Sequence, residues 1–213
     1  MAQEQLSGIK NIIIDMGGVI LDIDHSLTAA AFKAIGVENF ESLFTKASQS
    51  GFIEEFESGN LSPDEFRNQV RAWCGIPFSS LELDAAWNAL ILDLKPSRVA
   101  AIQSLSQRFN LYLLSNNNAI HYLRCIEKIN ALLPFEVFSS YFKQNYYSHI
   151  LRLRKPEKAA FEFVLRENKL NLFETIFWDD SLQHIESAQT LGIRTITISP
   201  ENTIEQLVAG LDY

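Results

Sequence analysis

Residues 9–14 (IKNIII) form a short apolar run that ends in three isoleucines, stops at Asp15 and gives way to Met16, Gly17 and Gly18. A β-branched run of this length bounded by glycines reads as a buried strand followed by a loop. Three later segments repeat the signature: 111–114 (LYLL), 175–178 (TIFW) and 194–198 (RTITI). Helical stretches are predicted between and after them, at about 97–108, 119–130, 157–168, 182–191 and 202–209. Strands alternating with helices imply an α/β fold: a Rossmann-like, mainly parallel sheet covered on both faces.

Residues 23–95 break that alternation, because helix signals follow one another there without a convincing strand. Ser62, Pro63 and Glu65 make a capping box with proline in the first turn, and Gly75 supplies the stop. Further helices are predicted at about 26–35, 40–48, 51–58 and 80–92, the last from the spacing of Leu83, Trp87, Leu90 and Ile91. The expected division is a core of residues 1–22 and 96–213 interrupted by an all-helical unit, 23–95.

Charge and cysteine content narrow the function classes. The 213 residues carry 18 Lys and Arg against 26 Asp and Glu, a net charge of −8, which argues against nucleic acid or an acidic membrane surface as partner. A small anion in one local pocket is compatible with it. Cys74 and Cys125 have neither CxxC nor zinc spacing and read as reduced core residues. No apolar stretch approaches the roughly 20 residues of a membrane span and no cleavable leader is read, so the expectation is a cytoplasmic protein.

In parallel α/β sheets the ligand crevice lies at the carboxyl ends of the strands. Here those ends carry Asp15, Ser115 and the pair Asp179–Asp180. Each alone is commonly a helix cap or turn residue. Together, three carboxylates repel one another by on the order of 4 kcal/mol per close pair at an effective dielectric near 20. A divalent cation relieves that repulsion, and hard oxygen ligands favour Mg²⁺. Gly17 and Gly18 let backbone amides turn toward the same point, an anion nest suited to phosphate.

The segments NIIIDMGGVILDID, LYLLSNNN, LRKPEKAAFEFVL and IFWDDSLQHIESAQTLGI resemble, in order and spacing, the four motifs of the haloacid dehalogenase-like hydrolase superfamily. The helical stretch sits where that family places a cap domain. The resemblance implies a Mg²⁺-dependent phosphomonoester hydrolase with Asp15 as nucleophile, passing through an aspartyl-phosphate. It implies a metal held by Asp15, the Gly17 carbonyl and Asp180, with Asp179 supporting that shell. Ser115 and the loop of Met16, Gly17 and Gly18 would hold phosphoryl oxygens beside Asn116 and Asn117, while Lys155 neutralises charge between Asp15 and the phosphate.

One departure stands out: the family's phosphatases usually carry a second Asp two positions after the nucleophile as proton shuttle, and this chain has Gly17. The chain is similar to a branch that shares this glycine and includes sugar phosphatases. Its members also tend to show an acidic pair and polar residues like Asp22, Asp24, Asn116, Asn118 and His121. Asp24, Asp22, His121 or a metal-ordered water are the candidates for the missing shuttle, with Asp24 and His121 also expected at the substrate. His184 stands where relatives usually have Asn or Asp, and is expected either to orient a carboxylate or to lie on a surface helix. The acidic run Glu54, Glu55, Glu57 reads as a solvated helix face, and Phe44, Phe52, Phe56, Trp73 and Trp87 as helical core for the most part. Two other readings remain open: a carbon–halogen hydrolase, which needs no metal, and a phosphate-binding module whose catalytic cycle has decayed.

Overall fold

The computed structural model describes residues 5–49 and 51–211. Five parallel strands form the main sheet: β1 (Asn11–Ile14), β4 (Asn110–Ser115), β5 (Gln144–Tyr147), β6 (Thr175–Asp179) and β7 (Arg194–Thr197), in the order β5-β4-β1-β6-β7. The central β1 pairs Ile14 with Leu113 on one side and with Trp178 on the other, so all three strands end at one edge.

The apolar runs have no polar alternation because both faces are covered. Ile12, Ile14, Leu111, Leu113, Ile176 and Trp178 pack into one core cluster. Ile13, Tyr112, Leu114 and Phe177 project the other way, into a second. The first face is covered partly by α6 (Pro96–Ser106), α7 (Ala119–Asn130), α8 (Phe135–Ser140) and α12 (Ile204–Ala209). The second takes α10 (Lys158–Glu167) and α11 (Leu182–Thr190).

Between β1 and β4 the chain makes a helical insert: α1 (His25–Ala34), α2 (Phe40–Gln49), α3 (Phe52–Glu57), α4 (Pro63–Cys74) and α5 (Ser80–Trp87). Its apolar centre is a third cluster around Phe32, Phe56, Phe66 and Trp87, joined by Ile120 of α7. The Ser62 box forms as expected, Ser62 N–H donating to Glu65 at 2.8 Å and Glu65 N–H to Ser62 at 3.3 Å, and Gly75 ends α4 at φ 66°.

Three strands depart from the sequence expectation. The segment read as the end of a helix over 80–92 leaves α5 at Trp87, passes through a single 3-10 turn and becomes β3 (Ile91–Leu94). It pairs antiparallel with β2 (Leu21–Ile23), so a two-stranded ribbon carries the chain into and out of the insert. An aspartate inside each run, Asp22 in β2 and Asp93 in β3, breaks the apolar pattern that marks the strands of the main sheet. β5 (QNYY) lies at the sheet edge with its first residue exposed, and its polar start hides it from a hydrophobic pattern.

Candidate active site

Asp15 leaves β1 at the point where Gly18 adopts φ +71°. Its N–H is held by the Trp178 carbonyl at 3.0 Å, which anchors it to β6. Lys155 comes from the loop before α10 and is completely buried. Its Nζ donates to Asp15 Oδ1 at 2.7 Å and to Asp179 Oδ2 at 2.6 Å, one cation shared by two carboxylates. Asp179 Oδ1 accepts from Ser181 N–H at 2.8 Å and lies 3.0 Å from His184 Nδ1, so both its oxygens are engaged. His184 is thus a carboxylate-orienting residue, the first of the two roles open to it.

Asp180 is the exposed member of the acidic pair, and ligand oxygens of Asp15, Asp179 and Asp180 lie within 4.8 Å of one another. Gly18 makes room for it: a Cβ there would stand 2.0 Å from Asp180 Oδ2, on a backbone already left-handed. Gly17 is closed in by Ile23, whose Cδ1 would meet a Cβ at 2.5 Å. Met16 itself is buried in the core, so only its backbone is available to a ligand.

The electrostatics separate the three acids. Burial pushes the Asp15 carboxyl up to about 7 against the pull of Lys155. Burial also works against charge on Asp179, but Lys155 and His184 outweigh it and hold that carboxyl down at about 2. Asp180 is raised, first by burial and then by Asp179. Burial likewise opposes charge on Lys155, yet Asp15 and Asp179 keep its ammonium above the ordinary value. An acidic site holding one cation and two raised carboxyls, with hard oxygen donors free on Asp15 and Asp180, suits a small divalent ion.

The SNNN stretch after β4 is mostly scaffold. Asn116 pairs its amide with the Lys155 backbone in both directions, at 2.7 and 2.9 Å, and so fixes the lysine loop. Asn117 is turned inward: its Oδ1 accepts from Asn118 N–H at 2.8 Å and its amide nitrogen faces Cys125 Sγ at 3.9 Å. Asn118 caps α7. Ser115 is buried at the strand end, beside Asn116.

The candidate proton shuttles are engaged elsewhere. Asp24 caps α1, accepting from Ser26 N–H at 2.9 Å and its hydroxyl at 2.6 Å. Asp22 pairs with Lys95 and, at 3.4 Å, with Arg98. His121 places Nε2 3.0 Å from the Trp87 carbonyl and Nδ1 2.9 Å from the Asn118 amide, while burial drives its pKa down to about 4. Its two nitrogens are satisfied in the neutral form and it stacks on Trp87 with centroids 5.2 Å apart. Asn117, Asp24 and His121, expected at the substrate, are thus each held by local hydrogen bonds, while Asn117 and His121 also line the pockets at the sheet edge.

A cleft of about 530 Å³ separates the insert from the sheet edge. Thr28, Phe44, Glu57 and Trp87 line the insert side, Asn116 and His121 the core side. A smaller pocket sharing Asn116 and His121 continues to Gly17 and Ser115. Two residues that do not stand out in the sequence, Arg154 and Ser148, bind the two sides together through Glu57. Arg154 reaches Glu57 at 2.9 Å and Glu54 at 3.2 Å. The Ser148 hydroxyl, in α9 (Ser148–Leu151), donates to the Glu57 carbonyl at 2.6 Å and accepts from Asn117 N–H at 2.9 Å. Glu57 is thereby drawn from the solvated face assigned to it into a half-buried ion pair. Its position beside the invisible β5 turn gave no local signal; the only available cue was Arg154 directly before Lys155.

A parallel sheet covered on both faces, with this acidic cluster and a buried lysine at its carboxyl edge, makes the chain a Rossmann-like α/β protein with its candidate site where such sheets bind ligands. The chain belongs to the haloacid dehalogenase-like hydrolases, whose family pattern matches residues 9–192. It is 32% identical over 195 residues to the D-ribitol-5-phosphate phosphatase of Bacteroides thetaiotaomicron, covering 91% of this chain and 93% of that one. A haloacid dehalogenase family enzyme from the same organism, solved with magnesium and inorganic phosphate, superposes with a TM-score of 0.79 at 32% identity, over 90% of this chain and 94% of that one. A haloacid dehalogenase-like hydrolase from Porphyromonas gingivalis gives a TM-score of 0.83 at 27% identity, over 96% and 98% of the two chains.

Proposed function

We propose that the chain is a Mg²⁺-dependent phosphomonoester hydrolase that works through an aspartyl-phosphate on Asp15 and takes a small sugar or polyol phosphate. The observation that carries this reading is the continuous contact Asp15–Lys155–Asp179 with Asp180 alongside. Its support from relatives is the phosphatase of similar sequence and the neighbour that holds magnesium and phosphate.

Asp15, Asp180 and the Gly17 carbonyl would hold the metal, with Asp179 behind them. The ion would supply positive charge against the phosphoryl oxygens and the attacking carboxylate. Asp15 attacks phosphorus, and the bond to the leaving oxygen breaks. Lys155, fixed by Asp179 and by the Asn116 amide pair, faces the charge of the transferring group, and Ser115 with the loop amides orients it. Gly17 offers no proton and the nearby alternatives are occupied, so the leaving oxygen takes its proton from cleft water. Water then cleaves the aspartyl-phosphate to give free phosphate and Asp15. Absence of a positioned acid costs about 10² to 10⁴ in rate.

The helical insert acts in this reading as a cap domain, residues 23–95, over a core of 1–22 and 96–213. Its support is a hydrophobic centre distinct from the two sheet clusters. Two free thiols suit a cytoplasmic setting, and among the described residues no helix is long and apolar enough to cross a membrane.

The test is a panel of phosphorylated metabolites with Mg²⁺, run beside EDTA and Asp15→Asn. Turnover of at least one sugar or polyol phosphate, abolished by both controls, is expected. Folded protein that hydrolyses nothing on the panel overturns the proposal, and chelator-resistant dehalogenation redirects it to carbon–halogen bonds.

A further inference from the structure

Glu57 ends α3 on the insert side of the cleft, with its carboxylate in the wall. It is held from two directions. Arg154 grips Oε2 at 2.9 Å, and Ser148 fixes the residue's own carbonyl at 2.6 Å, the same Ser148 that receives Asn117 N–H from the loop after β4. The other carboxylate oxygen, Oε1, has no hydrogen-bond partner among the described residues. Glu41 also lines the cleft, but it is exposed in the first turn of α2 and has no such clamp. Arg154 directly precedes Lys155, and His184, which holds Asp179, is near enough to Glu57 to act on its charge. Glu57 thus stands in the insert-side wall close to Arg154 and His184 of the core, where a leaving group occupying the cleft would meet it.

The rest of that wall explains why one fixed acceptor would matter. Phe44 and Trp87 present apolar surface. Thr28 Oγ1 and Trp87 Nε1, buried in the same wall, have no hydrogen-bond partner among the described residues. Those two atoms lie beyond a ligand's reach, so the wall offers a ligand apolar ring surface together with the Glu57 carboxylate, a pairing that a hydroxylated carbon chain meets with CH edges and hydroxyls.

Resting on the phosphatase reading above, we infer that Glu57 is a specificity-determining residue that accepts a hydrogen bond from a hydroxyl of the substrate's leaving group. The structure assigns it to polyol and sugar phosphates over unsubstituted alkyl phosphates. A carboxylate acceptor forms a charge-assisted bond, and a hydroxyl-lacking competitor would bury it unpaired.

The experiment compares a pentitol 5-phosphate with pentyl phosphate, whose leaving oxygens are both primary alkoxides, so that the two differ in hydroxyls and not in leaving-group chemistry. In the wild type kcat/KM should favour the pentitol ester by on the order of 10- to 100-fold. Glu57→Gln should bring the ratio of the two kcat/KM values toward one, chiefly through KM, and Glu57→Asp should recover part of it. A wild type that does not discriminate overturns the assignment, as does a Glu57→Gln ratio equal to the wild-type ratio with both values lowered alike, the result expected of a proton donor or of damaged folding. Inactivity of the wild type toward both esters and toward the wider metabolite panel would instead overturn the phosphatase reading itself.

Discussion

The two sides of the cleft are built by opposite means. On the sheet side the functional groups are charged, sit at or beside strand ends and are cross-linked, so that Lys155 alone joins Asp15 to Asp179. On the insert side the wall mixes aromatic and aliphatic surface with short polar side chains, and Glu57 is tied back to the core through Arg154 and Ser148. The acidic cluster and its lysine are thus positioned by the sheet's register, whereas the opposite wall depends on how a separately packed helical cluster meets that edge. Substitutions on the two sides should therefore fail differently.

The largest effect is expected at Asp15, the proposed nucleophile. Asp15→Asn should lower the steady-state rate on the best substrate by roughly 10⁴ while circular dichroism shows an intact fold. Near-full activity would remove the sheet side from the chemistry altogether. Lys155→Met comes next, because it leaves two buried carboxylates without their shared cation. Urea unfolding should show a loss of about 3 to 5 kcal/mol, beyond anything a single wall residue causes.

His121 tests the seam between the two sides. The fold holds its pKa at about 4 against an ordinary 6.5, so between those values the unfolded chain binds a proton that the folded chain refuses. Stability from this group is complete above pH 6.5 and is lost as pH falls toward 4, a total of about 3 kcal/mol. His121→Gln should flatten that part of the pH–stability curve, and an unchanged curve would place the acid sensitivity elsewhere.

Gly18→Ala sharpens the metal assignment. The added Cβ collides with Asp180, so the rise in melting temperature on adding Mg²⁺ should weaken as if affinity had dropped about 10-fold. A full Mg²⁺ response would exclude Asp180 as ligand. The smallest effect belongs to Arg154→Ala, which breaks partly solvated pairs with Glu54 and Glu57 and should cost about 1 kcal/mol or less in global stability. Its consequence should appear in KM for hydroxylated substrates, which is where the two sides of the cleft are coupled.

Much of this arrangement can be read from the chain because local signals coincide with it. The strands β1, β4, β6 and β7 announce themselves as apolar runs, since a sheet covered on both faces needs no polar alternation. Asp15, Ser115 and the acidic pair then follow from the rule that ligands bind at carboxyl ends. The capping box at Ser62 and the stop at Gly75 were equally visible. β2, β3 and β5 are not, because Asp22 and Asp93 interrupt the first two runs and Gln144 and Asn145 open the third, so pairing rather than pattern makes them strands.

Side-chain allegiance was legible only in part. Asp22 and Asp24 look as available in the sequence as Asp180 does, yet Lys95, Arg98 and Ser26 engage them. The kind of sheet, the place of the helical insert and the residue types gathered at one edge are encoded locally, because they depend on short-range pattern and on strand direction. Which carboxylates stay unpaired by cations, that Glu57 lines the cleft, and that His121 is held neutral emerge only once the chain is packed. Those outcomes depend on hydrogen bonds and burial between segments up to 140 positions apart, as Asp15 and Lys155 are, and no local pattern encodes them.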